Sequence, residues 1–346
     1  MKFISFVLTF TLITSCFLSC TKDINSSFYS HYSIEDSVGL QFTPNSVVSF
    51  INNVLVNGNK YYIIQPKRIF LYNAQGTFLK KLSKFGSGPN EYSEITWADI
   101  NINKEVIIYD GISNNILVYD SLLTFKKKYF INTKYNNYLM FIISKNNHYY
   151  FYNKNIFVDK FTINEFDTNL NHKNSYSLFP YNSAIEYRIA GNRNLAYAFD
   201  KNQLIISHIF DPKIKILDIH LKQELPPILL HNNFWTSINK NKVKRLLPNE
   251  GANPKNIYHY LRGKVKIWKI FYTGNGNILI EYWLPHKKFV LQLFNLNTKS
   301  ALHTVIIPDK LGEINAIHGH HIFFVRYHPE NPNLNPTILI FTQKTL

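Results

Sequence analysis

The chain has 346 residues, 45% of them hydrophobic, with 13 glycines, 14 prolines and a formal charge of +16. This composition buries a large core and excludes a disordered chain, while the length exceeds the ~100–200 residues of a usual single-core domain and suits a repeated sheet. The basic residues are scattered rather than gathered into a stripe, and the chain is heavy in Lys, Asn, Ile, Tyr and Phe, all served by AT-rich codons; the charge is read as compositional, and nucleic acid is not an expected partner.

The first residues, "MK", are a short positive region, followed by the uncharged apolar run "FISFVLTFTLITSCFLS" over 3–19, then Cys20 and the polar "TKDINSS". That order is a secretory signal, at the short limit for a membrane span. Leu18, Ser19 and Cys20 resemble the lipobox of bacterial lipoproteins, whose cysteine becomes the lipidated first residue, although Phe17 stands where the box has leucine. "ITSC", ending at Cys16, also fits the box, but cleavage there leaves apolar "FLS" after the anchor, whereas cleavage before Cys20 leaves "TKD". The expectation is a signal peptide over 1–19, lipid on Cys20 and a tether over 20–36, placing the protein in the cell envelope, attached to the membrane. No further cysteine follows Cys20, so disulfides are excluded from the exported chain.

From Lys60 onward the chain is a succession of short β-type runs. "KYYII", "RIFLYN" and "GTFLKKL" fill Lys60 to Leu82, and "EVIIYD", "NILVYD" and "TFKKKYFI" fill Glu105 to Ile131. Strong β-formers bounded by Asn, Gly and Asp read as hairpins, and helical periodicity is nearly absent. A polar residue ends the third strand of each block, and it recurs at Asn73, Asp120, Asp167, Asp218, Asn295 and Thr342, in steps of 47, 47, 51, 77 and 47. A period in the mid-forties fits a four-stranded propeller blade. The fold class is therefore all-β: a six-bladed β-propeller over 37–346.

The ends of the repeat support a closed ring. The last unit stops at "TILIFTQKTL", after its third strand, while spare β-like residues "SVGLQF" (37–42) precede the first unit. An N-terminal strand is expected to complete the last blade, because an open array leaves sheet edges exposed. Pro226 and Pro227 fall in the last strand of the fourth unit, consistent with an outer edge strand. The 77-residue step contains an insertion over 233–263 between blades 4 and 5, in which "SINKNKVKRLL" reads as a short basic helix capped by Ser237 and ended by Pro248.

Lys84 to Tyr92 reads "KFGSGPNEY" and falls between the outer strand of the first blade and the inner strand of the second. It lacks the Lys-Ser/Thr of a P-loop and the helix that follows one. Gly86, Gly88 and Pro89 suit a crossing from rim to axis, with Tyr92 and Trp97 packing between blades. The turn resembles the G-x-G-P-x-E-Y/F turn of the six-bladed β-propeller lipoproteins of Bacteroidetes, relatives of the NHL and TolB-like propellers. That resemblance implies an exported propeller and carries no catalytic motif.

Other motifs read as architecture. "TGNGN" (273–277) is an Asn-Gly hairpin turn between two β-runs. "HGHH" offers His318, His320 and His321, with His328 and Glu313 nearby, but reads as the first hairpin of the sixth blade; no metal or cofactor is expected. Asp99, Glu186 and Asp200 are the acids available to a channel-site hydrolase or lyase, the second reading of function. The first is a binding or protein-interaction module, because propeller mouths are built from loops on a rigid scaffold. Arg188, Arg193, Lys266 and Trp268, near inner strands of blades 4 and 5, suit an acidic or glycan ligand or an envelope protein. Lys242, Lys244 and Arg245 in the insertion are the expected exposed cations there.

Overall fold

A computed structural model describes residues 27–131, 139–145, 148–155, 160–180, 195–200, 202–232, 234–235, 260–261, 263–331 and 334–344. One helical turn, α1 (Phe28–His31), leads into β1 (Tyr32–Gly39). Blade 1 is β2 (Asn53–Asn57), β3 (Lys60–Gln65), β4 (Arg68–Asn73) and β5 (Phe78–Leu82); blade 2 is β6 (Ile95–Ile100), β7 (Val106–Asp110), β8 (Asn115–Tyr119) and β9 (Phe125–Phe130). Blade 3 is β10 (Leu139–Lys145), β11 (His148–Asn155), β12 (Lys160–Asp167) and β13 (His172–Pro180); blade 4 is β14 (Leu195–Asp200), β15 (Gln203–His208), β16 (Lys213–Asp218) and β17 (Gln223–Leu229). Blade 5 is β18 (Lys266–Gly274), β19 (Asn277–Trp283), β20 (Phe289–Asn295) and β21 (Ser300–Ile307), and blade 6 is β22 (Ile314–His318), β23 (His321–Arg326) and β24 (Thr337–Gln343) with β1 as its outer strand.

The polar residues that mark the period have a common task. Asn73 Oδ1 accepts the N–H groups of Gln75 and Thr77, Asp120 Oδ1 those of Leu122 and Thr124, and Asp167 Oδ1 those of Asn169 and Asn171. Asp218 and Asn295 do the same for Leu221 and Thr298. Each opens the turn between third and fourth strands, where an Asn or Asp side chain imitates a backbone turn. Thr342 marks the sixth unit, where the outer strand is β1 from the other end of the chain, so no turn joins third to fourth strand and no carboxylate or amide is required.

Inner and middle strands are apolar on both faces because each blade is covered by two neighbours. Alternation along β3 puts Tyr61 and Ile63 into the cluster shared with blade 6, and Tyr62 and Ile64 into the one shared with blade 2. Outer strands face solvent on their free edge. Pro226 and Pro227 lie in β17, the outermost strand of blade 4, where a missing N–H costs no ladder bond.

The closing strand corrects the predicted boundaries. It pairs Tyr32 with Gln343 through to Gly39 with Thr337, antiparallel to β24, so it begins five residues before the expected 37–42 segment. The tether does not extend to 36: Phe28 (2% exposed) and Tyr32 (0%) are buried among Leu291, Val305, Phe324 and Phe341 of blades 5 and 6. The expected start at 37 follows hydrophobic alternation, which the exposed, acidic "IED" at 34–36 interrupts. A second lock lies at the other end of β1. The buried Asn335 side chain accepts the Val48 N–H at 2.9 Å and donates to the carbonyls of Gln41 (2.8 Å) and Ser46 (2.6 Å). Of the insertion, Phe234 and Trp235 pack on the blade 4–5 cluster, while the predicted helix lies outside the described residues.

At the outer corner of this seam the His31 and His303 rings stack with centroids 4.3 Å apart, and His303 Nε2 lies 2.9 Å from the Tyr32 hydroxyl. The other charges at this corner, Lys344 and Lys310, are both held on Tyr29. Burial, and then the neighbouring His31, push His303 down to about 4 from 6.5.

Two outcomes follow for the seam. Phe28→Ala is expected to cost about 3 kcal/mol in chemical denaturation; a silent substitution restores a propeller that starts at 37. The folded state holds His303 neutral, so its contribution to stability is full above pH 6.5 and is lost as pH falls through 6.5 toward 4. His303→Gln, which keeps a partner for Tyr32, is expected to flatten the melting temperature across that window.

Candidate functional site

The antiparallel order places two kinds of connection at one mouth of the ring: those joining second and third strands, and those joining each outer strand to the next inner strand. Near its start an inner strand is tied there to the blade before it. Ile95 N–H donates to Pro66 O at 2.7 Å, and Ile267 N–H to Ile209 O at 2.8 Å. In blade 6 the tie is made by side chains of blade 5: the buried Glu281 accepts the Ile314 N–H at 2.7 Å, and Lys269 Nζ donates to Ile314 O.

Several inner strands then carry a β-bulge at the residue immediately after the tied one, which re-aims that side chain. The bulge residue is Thr96 in blade 2, Asn315 in blade 6 and Trp268 in blade 5. Thr96 Oγ1 accepts the Gly111 N–H at 3.0 Å, and Asn315 Oδ1 accepts the Val325 N–H at 2.8 Å, so both fasten their own blade. Trp268 turns instead toward blade 6 and donates its indole N–H to Glu313, which also pairs with Lys269 Nζ at 3.1 Å. Its ring stands edge-on to Trp283, with centroids 4.8 Å apart and planes at 82°.

Lys266 opens β18 directly opposite Trp283. Its ammonium lies 5.0 Å from the Trp283 ring centre and 5.5 Å from that of Phe210 in the neighbouring blade 4. Burial pushes this lysine below its ordinary value. Lys266, Trp268, Trp283 and Glu313 thus form a partly open aromatic and charged patch on the mouth of blades 4 to 6. Sequence reasoning named Lys266 and Trp268 but missed Trp283 and Phe210. Trp283 is the residue that ends its blade's second strand, a position the repeat register marks. Arg188, Arg193, Glu186, Lys242, Lys244, Arg245 and Cys20 lie outside the described residues.

The other motifs resolve into architecture. In "KFGSGPNEY" the Glu91 carboxylate accepts the Gly88 N–H at 2.9 Å, so the turn folds around its own anion rather than a phosphate. Gly86 has φ +141°, and a Cβ there would stand 2.0 Å from Glu91 Oε2. Tyr92 is buried between blades 1 and 2, its hydroxyl 3.2 Å from Lys67 O and 3.3 Å from Leu82 O, and burial pushes it up to about 12. Trp97 packs further round the ring, 6.0 Å from Tyr197 of blade 4. Asn275 and Gly276 form the left-handed corner of the β18–β19 hairpin.

His318 and His321 face each other across the β22–β23 hairpin, and His321 Nε2 bonds Glu35 at 2.9 Å. His328 lies beyond the other end of β23, 2.8 Å from Thr337 Oγ1. Among the described residues, no group of three or more His, Cys, Asp and Glu is placed to hold a metal ion. Asp99 and Asp200 sit at or near the ends of β6 and β14, toward the mouth opposite Lys266.

The fold is a six-bladed propeller whose apolar blades carry polar and aromatic residues at this mouth. The chain belongs to the family described as "6-bladed beta-propeller" (DUF5128), whose model matches residues 15–309. Two solved structures share the fold. A candidate exported protein from Bacteroides fragilis has 13% identity, a TM-score of 0.69, and coverage of 93% of this chain and 98% of its own. A member of the duf4221 family from Bacteroides vulgatus has 12% identity, a TM-score of 0.64, and coverage of 91% and 99%. No curated protein matches the chain. Among the described residues, no helix is long and apolar enough to cross a membrane.

Proposed function

We propose that the protein is an exported, lipid-anchored binding module, in the manner of the Bacteroidetes propeller lipoproteins its first residues and its 84–92 turn resemble. It presents the mouth of blades 4 to 6 to a ligand of the cell envelope. The observation that carries this reading is Trp268. At a bulge where blades 2 and 6 use Thr96 and Asn315 to fasten themselves, blade 5 places an indole that reaches out to Glu313 and Trp283. A large aromatic set at the mouth, between Trp283 of its own blade and Glu313 beside blade 6, supports a binding surface there.

Arg188, Arg193, Lys242, Lys244 and Arg245 enter this proposal from the sequence alone. The hydrolase or lyase reading needs acids and histidines gathered together. Among the described residues, no group of three or more His, Cys, Asp and Glu comes together and His321 is paired with Glu35, so the binding reading is the better supported.

Anchoring is tested by Cys20→Ala. Dual or triple acylation gives stable attachment where one chain gives marginal binding. The variant is expected to leave the detergent phase and appear as soluble or uncleaved protein; a processed variant that still partitions into detergent overturns Cys20 as the anchor. Binding is tested by passing cell-envelope extract over the immobilised exported chain and its Trp268→Asn variant. Retention of the same components by both overturns this mouth as the binding surface.

A further inference from the structure

We propose that Lys266, Trp268 and Trp283 form a subsite for an oxyanion-bearing sugar, a pyranose carrying a carboxylate or a sulfate. The inference rests on the binding reading above and names its ligand class.

The argument starts from the ammonium of Lys266. Among the described residues its neighbours are two ring faces, Trp283 at 5.0 Å and Phe210 at 5.5 Å, and no carboxylate lies within ion-pair distance. The nearby acid is already engaged: Glu313 binds the Trp268 indole and Lys269. A desolvated cation held only by ring quadrupoles recovers little of its lost hydration. Burial accordingly pushes this lysine down. An ammonium has three donors to give, and an incoming oxyanion supplies the partner that the described residues do not.

The surroundings select the rest of the ligand. Trp268 and Trp283 stand at 82° to one another, presenting a face and an edge rather than a flat slot. That corner suits a non-aromatic ring with apolar C–H edges better than a planar base, which would stack between parallel walls. Glu313, whose side chain is 36% exposed, borders the corner and accepts hydrogen bonds from hydroxyls. A polyhydroxylated ring with one oxyanion matches all three elements: C–H surface on indole, hydroxyl on carboxylate, oxyanion on ammonium.

Titration calorimetry of the exported chain with four probes tests this: an oligogalacturonate, its fully methyl-esterified counterpart, a sulfated oligosaccharide and inorganic sulfate. The acidic oligosaccharides are expected to bind, and the neutral ester at least about tenfold more weakly. Lys266→Met, which keeps the aliphatic stem, is expected to lose about tenfold, and Lys266→Arg to retain most of the affinity. Trp268→Asn, which installs the bulge residue of blade 6, is expected to keep the melting temperature and lose sugar binding while leaving the weak response to inorganic sulfate. Preference between the carboxylated and sulfated probes identifies the oxyanion. Equal affinity of Lys266→Met and the parent overturns the inference, as does equal binding of the ester and the acid. If no probe binds while envelope extract is still retained through Trp268, the ligand class is wrong and the binding mouth stands. If neither binds, both fail.

Discussion

The pairing of β1 with β24 is the interaction on which the rest of the molecule depends. Every blade but one is made from consecutive chain, and each buries both of its faces against neighbours. Removing the closing strand bares a β24 edge and the Phe324–Phe341 cluster together. The fold therefore concentrates fastenings at this seam: the strand ladder itself, Phe28 and Tyr32 beneath it, and Asn335 at its end. With the ring closed, each blade is fixed well enough for single side chains at a mouth to hold their positions.

Much of this was legible in the sequence for a chemical reason. The turn between third and fourth strands needs a side-chain acceptor, so Asn or Asp returns there with the period of the blade. Asn73, Asp120, Asp167, Asp218 and Asn295 are read as punctuation because they perform the same hydrogen bonding five times. Hidden features were those that depend on residues remote in sequence. Phe28 reads as part of a polar tether until blades 5 and 6 are seen to close over it. Trp283 reads as the end of a strand until Lys266 and Trp268 are found beside it. Glu313, 45 residues from Trp268, was noticed only for its proximity to histidines with which it forms no metal group.

The high positive charge also acquires a structural location. Outer strands are the free edges of the blades, and several are marked with charge or proline: Lys80 and Lys81 in β5, Lys126 to Lys128 in β9, Pro226 and Pro227 in β17, Glu35 and Asp36 in β1. Lysine along an exposed edge opposes strand-to-strand association between copies. Charge along these free edges is distinct from the half-buried ammonium of Lys266 at the mouth.

The place where the chain joins the wheel sets how the wheel stands. Ser27 bridges to Ile306 on the outer strand of blade 5, and Phe28 is already inside the fold. With lipid on Cys20, the residues 21–27 span at most about 25 Å when extended, at ~3.3–3.6 Å each. The attachment is therefore to the tyre and not to the hub. A lipid on Cys20, as proposed above, would hold the propeller by its rim, edge-on to the bilayer like a coin, with its two mouths open parallel to the membrane plane. In that proposed arrangement neither mouth would be plugged by lipid.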